Sequence, residues 1–129
     1  MHDYYTTCFN LLFPDSLPDT QPSLRKIVAE LNTYDNKWNV ERNWFDIGIQ
    51  LEVPTVNLQA IRRRNHDEGP LGVPHDDCSF RDMLDQALNP LGQKKPSPTW
   101  LSLVNALMLS NCPEFADQLR SKYCKYLLL

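Results

Sequence analysis

The chain lacks any apolar run close to the ~18 residues that a membrane-crossing helix needs, so no membrane span is expected. A secretory leader is not expected either. Asp3 stands where such a leader carries basic residues, and the apolar positions around Phe9 to Phe13 are too few. Cysteine is present without pairing: Cys8, Cys78, Cys112 and Cys124 are far apart and irregular in spacing, which excludes metal knuckles and CxxC redox pairs and leaves free, mostly buried thiols. Surplus positive charge is missing. A net charge of −3 argues against nucleic acid or an anionic membrane surface as the main partner. There is no internal repeat, and no glycine-rich nucleophile turn of the kind a Cys-His hydrolase requires. The absences point to a cytoplasmic chain that is not an enzyme.

What is present is proline. Its ten residues stand at 14, 18, 22, 54, 70, 74, 90, 96, 98 and 113, and none falls inside an amphipathic segment. Proline in a helix interior costs about 3 kcal/mol, so these positions mark helix boundaries. Between them the apolar residues recur with helical period. The 129 residues are enough for one core that buries roughly two-thirds of the unfolded surface.

The organising stretch is Asn39 to Arg64. Val40, Trp44, Ile47, Gly48 and Leu51 share one helical face, and the helix should end near Glu52 because Pro54 disfavours α geometry at Val53. A further helix should begin with Pro54 at its first position and place Val56, Leu58 and Ile61 inward. Upstream, residues 1–22 read as an extension whose Tyr4, Tyr5, Phe9, Leu11, Leu12 and Phe13 dock on the domain. Ser23 then caps a helix carrying Leu24, Ile27, Val28 and Leu31.

Downstream, Asn65 to His75 reads as a loop of about a dozen residues, long for a compact domain. Asp76 or Asp77 should cap the next helix, whose Phe80, Met83, Leu84, Ala87 and Leu88 form a stripe. Ser97, with Pro98 at the first position, should open a helix with Trp100, Leu103, Val104, Leu107 and Met108 inward. Asn111 or Cys112, with Pro113, should open the last, with Phe115, Ala116, Leu119 and Tyr123 inward. The expected division is an extension over 1–22, a helical domain over 23–124 and a tail over 125–129.

The order Trp44, Ile47, Gly48, Leu51, Val53, Leu58, Ile61 resembles the second and third helices of the death domain, an interaction module of apoptotic and inflammatory signalling. Met83-Leu84 with Ala87-Leu88 resembles its fourth helix, although an aromatic often stands where Ala87 is. Thr99-Trp100, Leu103 and Ala106-Leu107 resemble its fifth, and Phe115-Ala116 with Leu119 its closing motif. The resemblance implies an all-α, six-helix antiparallel Greek-key bundle over about residues 23–123. It also implies homotypic recruitment of other death-fold domains in signal transduction, with no catalysis, cofactor, small-molecule substrate, nucleic acid or membrane partner. Caspase-recruitment and death-effector modules share the fold, and a helical nucleic-acid-binding domain is the alternative from another class.

The charges give that expectation residues. Arg62, Arg63 and Arg64 close one helix, while Asp77, Asp82 and Asp85 lie at the start and on the outer face of the next. Patches of opposite sign on different faces permit head-to-tail contact between copies or relatives, and complementary charge orients the encounter. His75 and Cys78, three apart, are the nearest approach to a metal site, and no second pair accompanies them.

Overall fold

The computed structural model describes residues 21–66, 72–89 and 97–124. Those residues form seven helices: α1 Leu24–Asn32, α2 Lys37–Arg42, α3 Trp44–Gln50, α4 Thr55–Arg64, α5 Asp76–Leu88, α6 Trp100–Leu109 and α7 Pro113–Tyr123. The all-α expectation holds there. No strand is formed among the described residues, and the one isolated bridge pairs His66 with Pro74 at the base of the α4–α5 loop. The extension's aromatics, Cys8 and the tail lie outside the described residues.

Ser23 caps α1 as its chemistry requires, accepting from the Lys26 N–H at 3.1 Å. Between Asn39 and Leu51 the expected single helix is two. Asn43 breaks it by donating its side-chain Nδ2 to the Asn39 carbonyl at 2.7 Å, while its own N–H turns to the nearer Val40 carbonyl, at 3.1 Å. A side-chain amide that takes the i−4 carbonyl competes with the helical ladder, and the backbone turns there before the α pattern resumes. The core face is unaffected: Val40, Trp44, Ile47, Gly48 and Leu51 are all buried.

α3 ends in a Schellman arrangement. The Val53 N–H donates to the Gly48 carbonyl at 2.9 Å and the Glu52 N–H to the Ile49 carbonyl at 3.0 Å, with Glu52 at φ 65°. Pro54 is the residue before α4, not its first member; its carbonyl accepts from Asn57 and Leu58. Val56 consequently faces solvent, a correction to the inward assignment.

Three more expectations shift by local chemistry. His75, not Asp76 or Asp77, precedes α5, and both aspartates sit in the first turn, where they still oppose the positive helix end. Thr99, not Ser97, caps α6: Thr99 accepts from the Ser102 N–H at 3.1 Å and Ser102 Oγ accepts from the Thr99 N–H at 3.3 Å, a reciprocal box. Met108, near the end of α6, is exposed rather than buried. Cys112 with Pro113 opens α7 as expected.

The helices close around α5, which packs against α1, α2, α3 and α4, while α3 also meets α6, and α6 lies along α7. Phe80, Met83, Leu84, Ala87 and Leu88 of its stripe are all buried. Trp44 and Trp100 are buried as expected, and the Tyr123 ring stacks on Trp100 with centroids 3.8 Å apart. Gly48 lets α3 approach closely, since a Cβ there would lie 2.6 Å from Leu58 Cδ2 and 2.9 Å from Met83 Cγ. Of the cysteines, Cys112 and Cys124 are buried, whereas Cys78 is exposed. Burial pushes each buried thiol up to about 11, with Glu114 adding to the effect at Cys112, which leaves both protonated and unreactive at neutral pH.

Candidate interaction surface

The last turn of α4 presents Arg62, Arg63 and Arg64, all exposed, at the helix end where positive charge is favoured. Their surroundings differ. Arg62 lies over the Phe45 ring, its guanidinium carbon 4.2 Å from the centroid, a contact that braces the side chain. Arg64 Nη2 is 3.1 Å from Asp82 Oδ2, and Asn65 Nδ2 donates to the same oxygen at 2.9 Å. Arg63 makes no hydrogen bond, ion pair or ring contact with any described residue.

The acidic set on α5 divides in the same way. Asp77, in the first turn, is exposed and holds no hydrogen bond or ion pair with a described residue. Asp85 accepts from Asn89 Nδ2 at 3.2 Å. Arg64 and Asp82, which the sequence assigns to opposite patches, meet in one ion pair within the chain. Arg63 and Asp77 are the members whose charge has no partner among the described residues. Asp77 also acts on Glu41 of α2: burial holds the Glu41 carboxyl above its usual value, Lys37 offsets part of that, and Asp77 adds to it.

A second charged cluster joins α1 to α7, and no sequence pattern marks it. The Glu30 side chain is only 9% exposed; it accepts from Gln118 Nε2 at 3.1 Å and Tyr123 OH at 3.3 Å, and forms an ion pair with Lys122. Burial raises the Glu30 pKa, but the bonds from Lys122 and Gln118, the Lys122 charge and the Tyr123 hydroxyl together bring it below the ordinary value. Gln118 also donates to the Glu30 carbonyl at 3.1 Å and to Thr33 Oγ1 at 3.2 Å. This cluster fastens the ends of the fold.

No family model matches this chain, and neither does any curated protein or solved structure. The site therefore has to be read from its own geometry. Among the described residues no group of three or more His, Cys, Asp or Glu could hold a metal ion, and no helix is long and apolar enough to cross a membrane.

Sequence reasoning left out two aromatic side chains of this surface. Trp38 is 57% exposed, with the Arg42 guanidinium carbon 5.2 Å from its ring centroid, and Phe45 carries Arg62. A signal existed for the first. Trp38 lies two positions before Val40, hence about 200° around the helix from the buried stripe, on the side facing water.

Proposed function

We propose that this chain is a homotypic protein–protein interaction module of the death-fold type, acting as a cytoplasmic adaptor or recruitment domain in apoptotic or inflammatory signalling. In this reading α2 and α3 together stand for the second of six helices in an antiparallel Greek-key bundle. The other five stand in chain order for the rest. The module binds without catalysis and without a cofactor.

The observation that carries the reading is Arg63, an exposed cation at the end of α4 that has no ion-pair partner among the described residues, while Arg64 beside it is neutralised by Asp82. Asp77 on α5 is its counterpart of opposite sign. A copy or a relative that offers a carboxylate to Arg63, and a cation to Asp77, docks asymmetrically, and such contacts propagate when the rotation does not close. Arg62, held over Phe45, adds a preorganised fork at the same edge.

The test is capture of a panel of death-fold modules, including this chain itself, by the wild type and by Arg63→Glu, with helicity measured in parallel. Salt-sensitive capture that the variant loses at unchanged helicity is the expected result. Capture that the variant keeps removes Arg63 from the surface, and salt-sensitive retention of DNA or RNA in place of protein overturns the reading.

A further inference from the structure

α2 and α3 share an outer stripe as well as an inner one. Trp38, Arg42, Phe45 and Ile49 each stand two positions before a buried residue, namely Val40, Trp44, Ile47 and Leu51, and so lie about 200° around the helix from the core. Trp38 is 57% and Ile49 45% exposed, and Phe45 is half-buried. Arg42 lies over Trp38 at 5.2 Å, and Arg62 comes from α4 to lie over Phe45 at 4.2 Å. Among the described residues neither arginine forms an ion pair. Apolar side chains held in a row with cations between them fit an acidic segment rich in aromatics.

The chain holds a segment of that composition. Residues 1–20 contain Asp3, Asp15 and Asp19 and neither lysine nor arginine, and they carry Tyr4, Tyr5, Phe9, Leu11, Leu12 and Phe13. Where that segment joins the domain, Gln21 Nε2 donates to the Leu88 carbonyl at 3.0 Å, at the C-terminal end of α5. Arg42, Phe45 and Arg62 lie at the opposite end, where they line one cavity with Asp76 and Ser79 from the start of α5. The 13 residues of α5 span about 20 Å. Phe13, eight residues before Gln21, reaches up to about 26 Å from it, and Phe9 up to about 40 Å, so both can arrive at the stripe.

We infer that the acidic, aromatic segment 3–15 docks on its own domain and covers this stripe, its apolar side chains against Trp38, Phe45 and Ile49 and its aspartates toward Arg42 and Arg62. A tethered segment acts at an effective concentration on the order of millimolar, so modest contacts suffice to hold it. Arg62 belongs to the covered stripe and adjoins Arg63, so the segment keeps a partner from the recruitment edge until it is displaced. That consequence rests on the proposed function, whereas the docking itself does not.

The experiment follows the Trp38 indole N–H of the full chain by NMR in the presence of a soluble paramagnetic agent, with the buried Trp44 and Trp100 indoles as controls of folding. In the wild type Trp38 is expected to be shielded, to a degree that does not change with protein concentration. The double variant Phe9→Ser/Phe13→Ser on the segment and Arg42→Glu on the stripe should each increase the Trp38 broadening several-fold, while Trp44 and Trp100 stay shielded. Broadening of Trp38 in the wild type equal to that in both variants overturns the docking. Shielding that grows with protein concentration assigns the stripe to a second copy and overturns it as well. No partner protein enters the measurement, so its failure is distinct from a failure of capture through Arg63.

Discussion

Among the described residues two ion pairs join different helices, and they differ in nearly every respect that matters to stability. Glu30 and Lys122 join α1 to α7 across a carboxylate that is 9% exposed and receives further bonds from Gln118 and Tyr123. Arg64 and Asp82 join α4 to α5 with side chains that are 57% and 38% exposed. A buried carboxylate is tolerated only when its oxygens are satisfied, so removing its partners leaves a penalty; an exposed pair exchanges each member for water at little cost. The first pair therefore belongs to the fold. The second sets the charge pattern of a surface, because it pairs Arg64 with Asp82, whereas Arg63 and Asp77 form no ion pair among the described residues.

The contrast breaks most visibly at Glu30. Glu30→Ala removes three bonds to α7 and is expected to cost about 2 kcal/mol, lowering Tm by roughly 10 °C in thermal unfolding. A loss within error of zero would place this cluster with the exposed pair. The same carboxylate carries a pH signature. Its folded pKa lies below the ordinary 4.5, so its contribution is full above that value and is lost as pH falls through the folded pKa. The stability gap between wild type and Glu30→Gln should therefore narrow as pH drops below 4.5, which denaturant titrations at several pH values would read.

Glu41 gives the opposite sign on a smaller scale. Burial and the neighbouring Asp77 raise its pKa, so its carboxylate opposes folding increasingly as pH rises from the unfolded value through the folded one. Glu41→Gln should accordingly stabilise the chain at neutral pH by less than about 1 kcal/mol, and should not do so in acid. Smallest of all is Arg64→Ala, expected to change stability by under about 0.5 kcal/mol, since Asn65 still donates to Asp82. A larger loss would show that the α4–α5 edge is held by its charges.

Much of the fold was legible in the sequence because its core obeys one period. Every residue of the α5 stripe is buried, as are both indoles assigned to the core, and the caps at Ser23 and Cys112–Pro113 stand where their chemistry requires. The misses have local causes. Asn43 reads as an ordinary helix residue until its side chain takes the Asn39 carbonyl, and in Ser97-Pro98-Thr99 two hydroxyl residues competed for one cap, which went to Thr99 because Ser102 could answer it. Glu30 was invisible for a different reason. An acid in a short amphipathic helix reads as solvated, and its partners Gln118 and Tyr123 lie 88 and 93 residues away, a pairing that only tertiary packing creates. For the surface, the sequence named the charged residues but not which of them cancel.

The central claim is that stability and recognition use separate charges, and Arg63→Glu examines both at once. Its melting temperature and its salt-dependent association with death-fold modules, including wild-type copies of itself, are measured side by side. The account predicts a melting temperature close to that of the wild type and the loss of association. Association that survives the reversal, or a fall in melting temperature as large as that of Glu30→Ala, would contradict it.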